Sequence, residues 1–557
     1  MFSYIQNIKN LIYILKVKKI KLLILLLFTF ISSFIEVVGL SLIAPYISKI
    51  FELDLLDELK YLSFINYDQD NYIYFASVII ISIFFLKGLF SIFIRWYIAK
   101  FSYGEFAKLQ ARILLAYQKM DYQEFIKRNL TVYIRNIREL CSHTLTSVEL
   151  ALRAVAEIII IVAIFLFLIL LDYKIFFYII LVILPIVFIY EKFFKKINFQ
   201  FGLARIDAIK GIYKNADNGI KGSKEIKFLF KDSFFRKNLI KDAKIAADAQ
   251  ANSLLINDSP RYVFEFALAT FAIIALFLLS ISSKDVSSYL PIISVFLLGG
   301  VRILPSISLM VNCFNRIGHY LPSVDIILKD LKDFENLRKK NENNYKSRPE
   351  EINSIELKNI EFIYENSQSN VFENLNFKIK KNECVGIVGA SGSGKTTLID
   401  IILGLLPPVK GEILINSKSF KNHISILEGN IAYLPQEPIV LEETIQTNIT
   451  LENEKNKINN EKLKQSIIYS NFKEVLSKLS FGLNTRIGEK GIRLSGGQNK
   501  RLALARALYH GKKILILDEA TSSLDKESEN YIAEQIKILK GNHTIIMISH
   551  QLNLLKH

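Results

Sequence analysis

The chain has 557 residues, more than one ordinary domain contains, and 51% of them are hydrophobic while 22% are charged. Its mean hydropathy of +0.28 excludes an intrinsically disordered chain and argues against an entirely soluble one. The net charge of +17 suggests nucleic acid or an anionic membrane surface as a partner, and the hydropathy favours the membrane. The three cysteines form no CxxC pair, so neither a thiol zinc site nor a disulfide framework is predicted.

The first 320 residues contain six apolar segments. Most have the ~20 apolar residues that cross a bilayer as a helix, so they predict an α-helical transmembrane domain of six spans. The segments lie at about 22–47, 72–98, 150–171, 174–190, 262–282 and 286–316. Charged residues then predict a solvated linker. The predicted organisation is a transmembrane domain over 1–331, a linker over 332–351 and a second domain over 352–557.

Basic residues determine the predicted orientation. Lysines precede the first span, and the connections at about 99–149 and 191–261 are rich in Lys and Arg. The connection at about 48–71 is instead mainly acidic. By the positive-inside rule, both termini are cytoplasmic. This topology explains much of the positive charge, so we predict no nucleic-acid partner.

Three ionisable residues, Glu36, Lys87 and Arg302, lie near the middle of predicted spans, where charges are costly and often functional. They are the predicted substrate-cavity residues, since a guanidinium binds phosphate through its fork of donors. An ion pair of Glu36 with either cation, locking two helices together, explains them equally well. Arg95, Arg153 and Arg261 lie near the ends of predicted spans, where snorkelling of the side chain is the better explanation.

A phosphate-binding loop follows the strand predicted at 383–388. Residues 389–397 have the G-x-x-x-x-G-K-[ST] pattern between a strand and a helix, a context that argues against a chance Gly/Ser turn. The glycines let backbone N–H groups turn toward phosphate oxygens, and the helix adds its positive end. Lys395 is expected at the β and γ phosphates, and the Thr396 hydroxyl at Mg²⁺. The predicted nucleotide-binding residues of this loop are Gly389, Ser391, Gly392, Gly394, Lys395, Thr396 and Thr397.

A second apolar strand, predicted at 514–519, ends in two carboxylates. Asp518 fits the role of organising Mg²⁺ at a nucleotide site. Glu519 follows it directly, where a carboxylate can polarise the attacking water. The alternative is a solvated pair of acids that closes the strand. From about residue 355 onward, apolar strands alternate with amphipathic stretches, so an α/β domain is predicted.

The segment from Leu494 to Gln498, Leu-Ser-Gly-Gly-Gln, resembles the signature of ATP-binding cassette (ABC) proteins. The resemblance implies that this segment contacts a phosphate through its N–H groups. It also implies a stacking aromatic, a Q-loop glutamine that serves Mg²⁺ and catalysis, a D-loop and a switch histidine. The residues that match these family positions, in order, are Tyr364, Gln436, Ser495, Gly496, Gly497, Gln498, 522–525 and His550.

Six spans followed by one cassette resemble an ABC exporter half-transporter of the bacterial inner membrane. The resemblance implies ATP and Mg²⁺ as cofactors and a homodimer, in which the signature of one chain closes over ATP on the other. It also implies coupling helices, near 122–129 and 226–235. Short strings at 34–45 and 302–306 are similar to bacterial lipid-linked oligosaccharide flippases. The alternative cargoes are another lipid, a peptide or a drug.

The sequence ends seven residues after His550, where family cassettes continue with another strand and helices. We therefore expect a C-terminally short cassette, with an ATP-binding regulatory clamp or a truncated, non-functional remnant as alternatives. Retention of both Asp518 and Glu519 favours a working ATPase. Arg486 stands where exporters often carry an acid, so no coupling role is assigned to it.

Overall fold

The chain forms two compact units, which are described separately. The first comprises Met1–Met120 and Lys127–Glu335, and the second comprises Asp121–Ile126 and Asn336–His557. The computed structural model describes residues 10–11, 13–14, 19–41, 46, 72–171, 173–281, 286–345, 351–364, 367, 369–390, 392–419, 427, 430–488, 492, 494–519 and 526–549.

The described elements of the first unit are helices. They are α1 (Lys19–Ser41), α2 (Tyr72–Gln118), α4 (Leu130–Arg135), a π-helix (Asn136–Leu140), α5 (Cys141–Leu171), α6 (Tyr173–Lys221), α7 (Ser223–Leu229), α8 (Asp232–Ile281) and α9 (Val286–Tyr345). Helix α3 (Tyr122–Ile126) is part of the second unit. Each predicted apolar segment overlaps one long helix. Among the described residues, two stretches, Ser77–Gln118 and Leu130–Leu170, are long and apolar enough to cross a membrane. The count of six spans stays a prediction.

Helices of the first unit approach one another closely at small and polar residues. A Cβ added at Gly202 of α6 would lie 2.1 Å from the carbonyl oxygen of His319 on α9, so only glycine allows this approach. Nearby, the buried Asn198 side chain donates to the carbonyl of Asn315 at 2.7 Å and to the side chain of Asn257 at 3.2 Å. Such bonds satisfy polar groups that burial would otherwise leave without partners.

The predicted linker at 332–351 is helical over its first part, because α9 continues to Tyr345. The charge pattern that indicated a solvated linker is also the pattern of an exposed helix face. Asp330, just before it, is 1% exposed and accepts from Arg128 at 2.9 Å and from Tyr117 at 2.6 Å. These bonds fix the helix within the first unit.

The second unit contains two four-stranded sheets among its described residues. Its strands are β1 (Ser354–Phe362), β2 (Phe372–Lys380), β3 (Cys384–Ile387), β4 (Lys410–Ile415), β5 (Lys418–Ser419), β6 (Ile431–Leu434), β7 (Ile514–Asp518) and β8 (Thr544–Ile548). Its further helices are α10 (Lys395–Ile402), α11 (Ile445–Thr450), α12 (Asn460–Tyr469), α13 (Lys473–Ser477), α14 (Gly496–Tyr509) and α15 (Lys526–Leu539), with 3₁₀ turns at Lys455–Lys457 and Gly482–Asn484.

One sheet is antiparallel, with order β2-β1-β4-β5, and the other is parallel, with order β3-β8-β7-β6. All five residues of β7, and all five of β8, are buried, as expected for a parallel sheet that is covered on both faces. The strands predicted at 383–388 and 514–519 are confirmed. In the parallel register Ile548 is opposite both Ile387 and Asp518, so β3 and β7 end at the same edge of the sheet.

The two predicted coupling segments differ in structure. Helix α3 covers most of the first, and Tyr122 packs against the apolar core of the second unit. The second segment comprises the end of α7, a short turn and the start of α8, and in the turn Phe230 has a φ of +51° and is 86% exposed. Their coupling role stays a prediction.

Candidate functional site

The phosphate loop connects β3 to α10 at the shared edge of the parallel sheet. Gly394 ends the loop with a φ of +86°, and a Cβ there would lie 2.7 Å from Val371. Glycine is therefore required where the chain enters the helix. The Lys395 ammonium lies over the loop and donates to the carbonyls of Gly389 at 3.0 Å and Ala390 at 2.8 Å. These donors are the ones expected to bind phosphate oxygens.

The first turn of α10 carries two threonines with different environments. The Thr396 side chain is exposed at the helix N-terminus, where a hydroxyl is available to a ligand. Thr397 is buried, and its Oγ1 lies 3.0 Å from the hydroxyl of Tyr364. The Tyr364 ring is 40% exposed and packs edge-on against Phe362. The predicted stacking residue is thus held beside the phosphate loop with part of its ring available.

The Asp518 carboxylate is 3% exposed at the end of β7 and accepts from the hydroxyl of Tyr433 at 3.4 Å. Burial raises the pKa of Asp518, and the adjacent Glu519 carboxylate raises it further, whereas Tyr433 and Lys395 lower it. A nearby cation would stabilise the ionised form of this buried carboxylate. Such a site suits Mg²⁺, which prefers oxygen ligands.

Gln436 and Glu519 were predicted from separate motifs, and the structure brings them together. The side-chain amide of Gln436 donates to the Glu519 carboxylate at 2.9 Å. Glu519 itself has a φ of +50°, an uncommon conformation for a residue other than glycine. This unusual backbone conformation occurs directly after the buried Asp518, where β7 ends. The arrangement places a base candidate, a metal-ligand candidate and an orienting amide at one sheet edge.

Two residues of this site were missed by sequence reasoning. Lys500 on α14 is 6% exposed, and its ammonium donates to the carbonyl oxygen of Glu519 at 2.8 Å. Burial lowers its pKa, while Glu519 and Asp518 raise it. Asp400 on α10 has a pKa of about 6, because burial raises it and the Asp518 carboxylate raises it further. Both residues are distant in sequence from Asp518 and Glu519, so sequence reasoning did not identify them.

The signature segment begins α14 with a capping box. Ser495 Oγ accepts from the Gln498 N–H at 3.3 Å, and Gln498 Oε1 accepts from the Ser495 N–H at 2.9 Å. Gly496 and Gly497 form the first turn, and Gly496 has open space where a side chain would stand. Among the described residues, no hydrogen bond joins Ser495 or Gln498 to the phosphate loop of the same chain.

Several predicted positions lie outside the description. Ser391, His550 and the segment at 522–525 are not among the described residues, nor are the side chains of Glu36 and Arg302. Lys87 is described, and its ammonium lies 5.4 Å from the centre of the Phe84 ring. That geometry is a cation–π contact. The described residues include no cluster of three or more His, Cys, Asp or Glu side chains that could hold a metal.

Comparison with known proteins identifies the domain that carries this site. Residues 372–522 match the family model described as ABC transporter. A putative export ATP-binding/permease protein of Rickettsia prowazekii is 46% identical over 205 residues, 36% of this chain and 35% of that protein. A putative multidrug export ATP-binding/permease protein of Staphylococcus aureus is 34% identical over 204 residues, 36% of this chain and 35% of that protein. Multidrug resistance protein 1 of Entamoeba histolytica is 34% identical over 265 residues, 46% of this chain and 20% of that protein.

The matches cover about a third of the length of the first of these relatives. They confirm the predicted ABC cassette and the relation to export ATP-binding/permease proteins. A domain of this family implies ATP binding and ATPase activity. The predicted roles of individual residues remain predictions.

Proposed function

We propose that this chain, whose residues 372–522 belong to the ABC transporter family, couples ATP hydrolysis to export across a membrane. The observation that carries the proposal is the cluster at the edge of the parallel sheet. There the Gln436 amide holds the Glu519 carboxylate at 2.9 Å, next to the buried Asp518. A carboxylate that holds a metal and a polar side chain that orients water are parts that phosphoryl-transfer sites use, which supports the proposal.

The chemistry follows from these groups. The Lys395 ammonium leaves the loop carbonyls for the β and γ phosphate oxygens. Glu519 accepts the proton of a water as its oxygen attacks the γ phosphorus, and the bond to the bridging β–γ oxygen breaks. Asp518, the Thr396 hydroxyl and Gln436 would hold Mg²⁺, which would supply positive charge to offset the charge of the two phosphates. The contributions are positioning and charge stabilisation.

The wider assembly belongs to the same proposal. The protein works as a homodimer with six spans per chain and both termini on the cytoplasmic side of a bacterial inner membrane. The N-terminus of α14 supports this, because its N–H groups suit a phosphate, and no described hydrogen bond ties its cap to the phosphate loop of the same chain. Closure of two cassettes is passed to the spans and turns the cavity outward. ATP hydrolysis then resets the dimer.

For the cargo, the resemblance of the first and sixth spans favours a lipid-linked (polyprenyl-pyrophosphate) oligosaccharide. Another lipid, a peptide or a drug is the alternative. The names of the relatives support export but do not indicate one class of cargo, since they include multidrug proteins. Of the three predicted cargo residues, Lys87 is the one whose side chain the structure describes.

The test is the ATPase rate of the full chain in lipid nanodiscs. Glu519→Gln should retain ATP binding and lower turnover by about 10²–10⁴-fold, because it removes the base. Lys395→Ala should weaken nucleotide binding itself. Glu534→Gln, at an exposed position of α15, is the matched control and should behave as the wild type. Turnover of Glu519→Gln at the wild-type rate would refute the base assignment, and stimulation by polyprenyl-pyrophosphate oligosaccharide would support that cargo.

A further inference from the structure

A charged cavity lies among three helices of the first unit. Helices α1, α2 and α5 pack against one another and line a partly open cavity of about 300 Å³. Its walls carry two guanidinium groups, from Arg95 and Arg153, and two carboxylates, from Glu149 and Glu157. Two of its helices fall in the stretches that are long and apolar enough to cross a membrane. Charged side chains at such a place are energetically costly, and they often mark a functional site.

The four charged groups, all among the described residues, lie close enough to interact through space but form no direct ion pair with one another. In the part of the chain that the structure describes, no ion pair with a distance of 4.0 Å or less joins any two of them. Glu157 is 8% exposed, and its Oε2 atom and the hydroxyl of the neighbouring Ser306 are both buried without a partner at hydrogen-bond distance. A buried acceptor left unsatisfied is expensive. A donor from a bound molecule would satisfy it.

This position changes the interpretation of two arginines. The sequence placed Arg95 and Arg153 near span ends, where their side chains would snorkel to the interface. Arg95 on α2 and Arg153 on α5 both line the cavity. A role in binding a ligand there is an alternative to snorkelling for both side chains.

We propose that this cavity binds a zwitterionic lipid headgroup that combines a phosphate with a primary ammonium. Two guanidiniums and two carboxylates give the walls no net charge, so a headgroup with one charge of each sign matches both pairs. A purely anionic headgroup would leave the carboxylates without a partner. The orphaned Glu157 oxygen needs a hydrogen-bond donor, which an ethanolamine ammonium supplies and a choline methyl group does not.

The size of the cavity supports a small headgroup. About 300 Å³ is at the lower end of the volumes of ligand sites in proteins. This volume holds a phosphate and an ammonium group, and any larger part of a lipid would lie outside the cavity. The identification of the bound lipid as cargo rests on the proposed export function, whereas the binding itself does not.

Binding is tested by equilibrium dialysis of radiolabelled dihexanoyl phosphatidylethanolamine against the full chain in detergent, without nucleotide. Wild type should bind this lipid at least about tenfold more tightly than the matching phosphatidylcholine or phosphatidylglycerol. Glu157→Gln should remove that preference for ethanolamine over choline. Arg153→Gln should weaken binding of the ethanolamine lipid about tenfold, and Arg153→Lys should restore part of it.

The control is Arg261→Gln, because Arg261 lies outside the cavity, is 70% exposed and pairs with Glu265 at 2.7 Å. It should bind as the wild type does. Equal affinity of the wild type for all three lipids, or unchanged affinity in both cavity variants, would overturn the proposal. Glu519→Gln separates the two hypotheses, since it should bind lipid normally. Lipid binding without any ATPase activity would refute only the proposed function, and ATPase activity without selective binding would refute only the headgroup site.

Discussion

At the scale of single residues, the position of the Glu519 carboxylate depends on how the backbone of Glu519 is held. Its φ of +50° is a conformation that costs a non-glycine residue about 1–3 kcal/mol. Two hydrogen bonds compensate: its N–H donates to the Ile548 carbonyl at 3.2 Å, and its own carbonyl accepts from Lys500 at 2.8 Å. Lys500 therefore connects the signature helix to the backbone of Glu519, the proposed base, in the same chain.

Replacing Lys500 by methionine tests this connection. Lys500→Met keeps most of the length of the side chain and removes a charge-assisted hydrogen bond, so the Glu519 backbone loses one of its restraints. We expect kcat to fall roughly tenfold and KM for ATP to change little, because the carboxylate and not the nucleotide contact is displaced. The measurement is steady-state ATPase kinetics in nanodiscs.

Two further variants separate positioning from general damage. Lys500→Arg restores a cation at the position and should recover part of kcat. Lys473→Met, at an exposed position of α13, should leave kcat at the wild-type value. A proportional rise in KM in Lys500→Met would instead mean that Lys500 supports nucleotide binding, and an unchanged kcat would show that the hydrogen bond is irrelevant to turnover.

The same residues show where sequence reasoning succeeds. Asp518 and Glu519 were predicted because they end an apolar strand downstream of a phosphate loop, since position at a strand end alone suits a solvated pair of acids equally well. Gln436 and Tyr364 came from resemblance, and the structure brings the first to the carboxylate and the second to the phosphate loop. Lys500 and Asp400 carry no motif, because their importance arises only when α14 and α10 pack beside β7.

At the scale of elements, the start of α14 is set by its reciprocal cap. The backbone N–H groups at a helix N-terminus have no partner within the helix. Here the Ser495 side chain accepts from the Gln498 N–H, and the Gln498 side chain accepts from the Ser495 N–H. The Ser-x-x-Gln spacing is visible in the sequence, which is why a helix after the signature was predictable. The length of α9 was not, since charged residues suit an exposed helix as well as a linker.

We predict that Ser495→Ala destabilises the second unit even without nucleotide. Loss of an N-cap serine costs about 1 kcal/mol, which lowers the melting temperature of a domain of this size by about 2–4 °C. The measurement is thermal unfolding in nucleotide-free buffer. Ser477→Ala on α13 is the control, because Ser477 is exposed and bonds only a carbonyl of its own turn. Equal melting of both variants and the wild type would show that the cap contributes nothing.

At the scale of the whole molecule, the two units differ in how much of each was predictable. The cassette has an ordered series of motifs, and its parallel sheet follows from short apolar strands between amphipathic helices. The helical unit has only hydropathy and charge, which predict long apolar helices but not their contacts. The cavity between α1, α2 and α5 required the packing of three distant segments and was therefore not predictable.

The homodimer is the last prediction and is tested by complementation. Lys395→Ala removes the phosphate-loop cation, and Gly497→Asp places a carboxylate in the first turn of the signature helix, where it repels phosphate. If the nucleotide lies between the phosphate loop of one chain and the signature of its partner, each variant alone has no intact site. A mixed dimer has one intact site, formed by the Lys395 of one chain and the Gly497 of the other.

We therefore expect co-expressed, differently tagged variants, purified through both tags, to hydrolyse ATP at a rate of the order of half the wild-type rate, while each variant alone is inactive. Glu519→Gln introduced into the chain that retains Lys395 should abolish this activity, because the intact site then lacks its base. The same change in the other chain should not abolish it. Activity that is lost in both cases, or is absent from the mixed dimer, would contradict a nucleotide site shared between two chains.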